Sequence, residues 1–294
     1  MLNFSELLKQ APVILDGATG SNLMKAGMPK GVCTEDWILR NPQSLLDLQQ
    51  AYIDAGSQII YAPTFSANRH GLARHGFEGR VVELNTALVQ LSKQAADGKA
   101  LVAGDMTTTG IPLEPLGTMA YDELFEIYCE QASVLAEAGA DLLVIETMLG
   151  IDETAVALEA AKSVCELPVM CSVTVQADGG LYFGGNCIEA VQTLQELGVD
   201  AVGINCSLGP EQLVALVRNM KAEATVPLLV KPNAGMPEIS DSGEAIYPMQ
   251  PEIFAKHMQV LMREGAELIG GCCGTTPEFI AAIKKYCKNQ ESMI

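Results

Sequence analysis

Short apolar runs rich in Val, Ile and Leu alternate along this chain with longer segments whose apolar positions recur at helical spacing. The runs at 13–15, 58–62, 101–103, 142–145, 169–175, 201–204, 228–230 and 268–269 predict strands. Helical patterning occupies 42–55, 80–96, 121–138, 152–165, 188–197, 210–223, 251–263 and 277–287. Pro42, Pro210, Pro251 and Pro277 stand where a helix tolerates proline, at its first turn, and Gly139 and Gly198 follow helix ends, where a left-handed residue closes the last turn. Strands that alternate with helices must run parallel, joined by helical crossovers. Repeated around the whole chain, the unit closes most naturally into one α/β domain over residues 1–294, a single (β/α)8 TIM barrel. A doubly wound open sheet is the second choice. The longest irregular stretch, 233–248, is the candidate lid.

In such a barrel catalytic groups sit at the C-terminal ends of the strands, and the polar residues of this chain collect there. The first strand ends in Asp16-Gly17-Ala18-Thr19-Gly20-Ser21, the third in Gly104-Asp105-Met106, the fourth in Glu146-Thr147, the sixth in Asn205-Cys206-Ser207 and the seventh in Lys231-Pro232-Asn233. The last ends in Gly270-Gly271-Cys272-Cys273-Gly274. Strands six and eight are separated by one strand, so their ends lie roughly 10 Å apart at ~4.8 Å per strand, within reach of loop side chains. Cys206, Cys272 and Cys273 therefore form a candidate zinc site, with a vicinal disulfide or packed thiols as the other readings. Three thiolates on a tetrahedral zinc leave one position open, which suits capture and deprotonation of an incoming thiol substrate. Cys33, Cys129, Cys165, Cys171, Cys187 and Cys287 have no second ligand type nearby in sequence and read as small packed hydrophobes.

Around that centre, the backbone N–H groups of Gly17, Ala18 and Thr19 suit an anion, and Asp16 and Glu146 suit an ammonium; together they read as an amino-acid clamp. Asn233 is a candidate polar ligand for the open zinc position before substrate arrives. His70, His75 and His257 lie away from the strand ends and read as surface or packing residues.

Composition narrows the partners. A formal charge of −18 with no basic stripe excludes nucleic acid and anionic membrane surfaces as natural partners. No apolar run is long enough to span a membrane, and the first ten residues carry Glu6 and no cationic leader, so a cytoplasmic protein is expected. Nine cysteines, an odd number without an export signal, fit reduced thiols. No dimerisation extension is evident, and a monomer or weak dimer is expected.

The runs Gly203-Ile204-Asn205-Cys206-Ser207-Leu208-Gly209-Pro210, Pro232-Asn233-Ala234-Gly235-Met236-Pro237 and Gly270 to Pro277, with Asp16 to Ser21, closely resemble the homocysteine S-methyltransferase superfamily. Within it, they closely resemble the homocysteine-binding module of cobalamin-dependent methionine synthase. The resemblance implies zinc on the catalytic residues Cys206, Cys272 and Cys273, with homocysteine sulfur in the fourth position. Asp16 and Glu146 are implied to bind the substrate amino group, and Asn233 to occupy zinc in its absence. Gly274 and Thr147 side with methionine synthase over relatives that use S-methylmethionine or betaine. The expected methyl donor is then a separate methylcorrinoid protein, cobalamin being a cofactor of that partner, with a small onium donor as the alternative. Trp37 falls where donor-pocket aromatics occur in some relatives, and two runs depart from the pattern: Thr107-Thr108-Thr109 in place of Gly-Pro-Thr, and Lys231 in place of a more usual acidic residue. A zinc or amino-acid binding protein, or a redox sensor built on Cys272 and Cys273, is the reading outside catalysis.

Overall fold

The computed structural model describes residues 2–239 and 245–291. Eight of its strands run parallel in one sheet: β1 (Val13–Ile14), β2 (Ile59–Tyr61), β3 (Leu101–Thr107), β4 (Leu142–Met148), β5 (Val169–Val173), β6 (Ala201–Asn205), β7 (Leu228–Lys231) and β10 (Leu268–Ile269). Sheet order follows chain order from β2 to β7, then β10 and β1, and a parallel bridge between Leu15 and Ile59 joins the first strand to the second. The ring closes as a (β/α)8 barrel, the expected fold.

Alternation of side chains along each strand divides the core in two. Val13, Leu15, Ile59, Tyr61, Leu101, Ala103, Leu142, Val144, Met170, Ala201, Leu229 and Leu268 fill the barrel lumen, and Phe4 and Leu7 of a short N-terminal helix, Phe4–Leu8, pack against the same cluster. The intervening positions, Ile14, Ile60, Val102, Leu143, Ile145, Val202, Ile204, Val230 and Ile269 among them, face outward onto the helices. The helix Val81–Ala96 shows how the outer layer forms: Val81, Leu84, Leu88, Val89 and Ala96 recur at helical spacing and are all buried.

Two expected boundaries move for one reason. β3 and β4 run on to Thr107 and Met148, past the apolar runs that predicted them. Their upper inward positions carry Asp105 and Glu146, so the hydrophobic signal stops before the strand does. The short helices Gly20–Lys25, Thr34–Arg40 and Arg69–Ala73 also escape the periodicity, being too brief to show it. In the stretch 233–248, residues 240–244 of the expected lid lie outside the described residues; within the rest, β8 (Glu238–Ile239) pairs antiparallel with β9 (Ala245–Ile246). No helix among the described residues is long and apolar enough to cross a membrane.

Candidate functional site

Three loops carry the thiols together. Cys206 directly follows β6, and its N–H donates to the carbonyl of Lys231 at 3.1 Å. Cys272 N–H donates to Pro232 O at 2.8 Å, and Ala234 N–H donates to Cys273 O at 2.9 Å, so the loops after β7 and β10 are stitched to each other. Cys206 has φ +48°, a left-handed conformation that costs a non-glycine residue about 1–2 kcal/mol. That strain aims its Sγ at Cys273 Sγ, 3.4 Å away, and all three sulfurs lie within 4.8 Å of one another. A tetrahedral zinc with Zn–S bonds of about 2.3 Å spaces its sulfurs by roughly 3.8 Å, so the triad fits the metal. Hydrogen bonds from the Cys206 and Cys272 thiols pull Cys273 down to about 3. Donation to Cys206 and to Cys273, followed by burial, pushes Cys272 well above the usual thiol range.

Beneath the thiols the lumen turns polar. The inward positions next up from the apolar layers are Tyr61, Asp105, Glu146, Ser172, Asn205 and Lys231, all buried. Asn205 ties this ring together. Its Nδ2 donates to Glu146 Oε2 at 3.0 Å and to Thr147 Oγ1 at 2.8 Å. Its Oδ1 accepts from Thr147 N–H and from Ser172 Oγ, both at 2.9 Å. Thr147 is left-handed, φ +59°, and Asn205 braces that turn from both sides. Asp16 Oδ1 accepts from Lys231 Nζ at 2.8 Å, Asp16 Oδ2 accepts from Tyr61 N–H at 2.7 Å, and the ammonium sits 3.5 Å from the centre of the Tyr61 ring. Burial pulls Lys231 down, but Asp16 first and then Tyr61 and Glu146 outweigh it and hold the ammonium well above the usual lysine range. Burial pushes Glu146 up to about 7; Lys231 opposes the rise, and Asp16 and Cys273 add to it.

A cavity of about 940 Å³ opens over this ring, lined by all three thiols, Asp16 to Ser21, Tyr61, Asp105, Glu146 and Lys231, with Met24, Met28, Phe65 and Tyr247 toward the rim. The structure thus brings Cys206, Cys272, Cys273, Asp16, Gly17, Ala18, Thr19 and Glu146 to one cavity. Ala18 N–H, however, is engaged by Thr275 Oγ1 at 3.1 Å. Asn233 sits beside the cavity, bridging the same loops: its N–H donates to Leu208 O, and its buried Oδ1 has no hydrogen-bond partner. His70, His75 and His257 do not line the cavity, nor does Trp37, which packs against the cluster of Leu23, Met28, Ile38, Leu45 and Leu88. Two of the three threonines are held by Glu153, to which Thr108 Oγ1, Thr109 N–H and Thr109 Oγ1 donate at 2.5, 2.7 and 2.8 Å, while Thr107 Oγ1 donates to Glu146 O at 2.8 Å.

The roles of Asp105, Asn205 and Tyr247 escape a reading by motif. For the first two a signal exists: carrying the inward alternation two residues past Ala103 reaches Asp105, and past Gly203 reaches Asn205. Tyr247, just after β9, hydrogen-bonds Cys273 and helps hold its pKa low. Its ring covers Gly274, where φ is +83° and a Cβ would stand 2.3 Å from Tyr247 Cγ. Gly274→Ala should therefore destabilise the protein by roughly 1–2 kcal/mol from backbone strain alone and weaken metal retention as the tyrosine is pushed off. A urea titration and a chelator competition measure the two effects, and an unchanged chelator curve would show that Tyr247 is not needed at the cluster.

Fold and site together define a TIM-barrel protein with a three-thiol, metal-fitting centre over an acidic pocket. The chain belongs to the homocysteine S-methyltransferase family, whose pattern matches residues 13–287. It is 29% identical to a methionine synthase of Mycobacterium leprae over 95% of its own length, and likewise 29% identical to that of Mycobacterium tuberculosis over 97%. It spans only about a quarter of those proteins, 24% and 25%. It superposes on the metallated form of the Escherichia coli homocysteine methyltransferase MmuM with a TM-score of 0.80 at 25% identity, covering 96% of this chain and 99% of that one. The oxidised form of the same protein gives 0.80 at 26%, with coverage of 95% and 98%.

Proposed function

We propose that this chain is a zinc-dependent homocysteine S-methyltransferase that forms methionine with a methyl group from a separate methylcorrinoid protein. The observation that carries the reading is the convergence of three sulfurs, within 4.8 Å, on a cavity floored by buried carboxyls. Cys206, Cys272 and Cys273 would hold the metal, and Asn233, whose buried Oδ1 has no hydrogen-bond partner, would offer it an oxygen ligand before the acceptor binds. Zinc, when bound there, lowers the pKa of an incoming thiol from about 8.5 so that it ionises near neutral pH. The loop Gly17-Ala18-Thr19 faces the acceptor's carboxylate. The sequence assigns its ammonium to Asp16 and Glu146; both line the cavity, but Asp16 is already engaged by Lys231.

Methyl transfer then needs little more than alignment. The acceptor sulfur attacks the methyl carbon, the donor's leaving group departs with the bonding pair, and the thiol proton passes to solvent. The hydrophobic side chains Met236, Ile239 and Ile246 are exposed next to the mouth, on and beside the β8–β9 hairpin, and suit a protein donor. The likeness to part of a longer methionine synthase supports a donor carried on another polypeptide or module. A small onium donor, S-methylmethionine or a betaine, is the second reading, favoured by the near full-length match to MmuM.

The deciding assay supplies zinc-loaded protein and homocysteine with each donor in turn. Methionine should form with a methylcorrinoid protein and not with S-methylmethionine or betaine alone. Turnover with a small donor would reverse the choice, and no turnover with either would favour a zinc or amino-acid binding role.

A further inference from the structure

Four charged side chains at this mouth, Asp16, Lys231, Asp105 and Glu146, bear on how the acceptor is held. Asp16 has both oxygens committed, one to Lys231 Nζ and one to Tyr61 N–H, and the ion pair is almost wholly buried, with 4% of the lysine side chain and 2% of the aspartate exposed. The lysine is further held by the face of Tyr61, so its ammonium is not a loose group that a substrate would displace cheaply. Asp105 presents the opposite case. It is 5% exposed, lines the cavity, and its Oδ1 is buried with no hydrogen-bond partner. A buried acceptor left unpaired costs roughly 1–3 kcal/mol, a penalty that a cationic donor at this spot would relieve.

Register places the second carboxyl beside it. Asp105 pairs with Val144 across β3 and β4, two residues before Glu146 and on the same inward face. Burial, and then the neighbouring charge of Glu146, pushes the Asp105 carboxyl well above its usual range despite the opposing charge of Lys231, which is already paired with Asp16. Glu146 Oε2 is anchored by Asn205, so that carboxyl is oriented as well as close.

We propose that the acceptor's α-ammonium is received by Asp105 together with Glu146, while Asp16 and Lys231 form a self-neutralised positioning pair that shapes the pocket floor without contacting the ammonium. Asp105 thereby becomes a specificity residue that selects amino-acid thiols over simple thiol acids. This rests on the reading of homocysteine as acceptor.

The test compares binding of homocysteine with that of 4-mercaptobutanoate, the same thiol acid without the amino group, by titration calorimetry on zinc-loaded protein. Wild-type protein should prefer homocysteine. Asp105→Asn should lose that preference by roughly tenfold or more, as expected for a charge-assisted hydrogen bond. The double variant Asp16→Asn with Lys231→Met, which removes both charges and leaves neither partner stranded, should keep it. Because the ratio is read, equal weakening of both ligands by Asp105→Asn would mark a structural role and overturn the proposal. Loss of the preference in the double variant would overturn it too, returning the ammonium to Asp16. If wild-type zinc protein bound neither thiol, the acceptor reading itself would fail, an outcome distinct from either of these.

Discussion

Cys273→Ala protein will keep its barrel, lose its zinc, and methylate homocysteine roughly a thousandfold more slowly or worse. The size follows from two parts. A free thiol of pKa about 8.5 is only a few per cent ionised at pH 7, so losing the metal's effect on acidity alone costs about thirtyfold. Losing the held geometry of the sulfur costs a further factor on the order of a hundred, a small share of what orientation supplies in well-aligned reactions. Circular dichroism should be unchanged, because Cys273 sits in a loop and is only partly buried. Cys171→Ala is the matched control. That thiol lies fully buried in β5, facing the helices, where burial first and foremost raises its pKa far above the usual thiol range. Its loss should leave zinc content and rate intact. Metal analysis and single-turnover rates check both variants, and a Cys273→Ala protein with full zinc and near-normal rate would remove the thiolate mechanism.

Asp16→Asn should be the most destabilising polar substitution at the mouth, by about 3–5 kcal/mol, because it strands the Lys231 ammonium without its counter-ion in a buried site. In a chain of this size that corresponds to a fall in Tm on the order of 10 °C. Replacing Lys231 with methionine in the same protein should recover most of the loss, since an ion pair exchanged for neutral groups of similar volume is often close to neutral. Thermal unfolding of the single and double variants measures this. A single variant as stable as wild type would mean that the pair is solvated and contributes little.

Most of the barrel was legible because its strands are buried on both faces and so read as apolar runs. The signal ended where function began. Asp105, Glu146, Asn205 and Lys231 occupy inward strand positions, yet their polarity makes each strand look finished one layer too soon. The thiol triad was legible from strand-end position, not from spacing, since Cys206 and Cys273 are 67 residues apart. What a linear reading missed was the partner of each charge. Lys231 and Asp16 lie at opposite ends of the chain, and nothing local to either announces that they neutralise each other. The threonine run 107–109 looked like a change at the mouth; in space Thr108 and Thr109 belong to Glu153 at the start of the helix Ile151–Val164, and only Thr107 stays with β3, bonded to Glu146 O.

Thr275 accepts from Ala18 N–H, and donates to Cys272 O at 2.7 Å, fastening the first loop of the chain to the last across 257 residues. The ribosome therefore delivers the parts of this centre in an order that postpones its assembly. Cys206 emerges long before its two partners, and the hydroxyl that seats the opening loop comes after them all. A metal site built on these three thiols can therefore form only after residue 273 has emerged, because until then Cys206 lacks both of its partners.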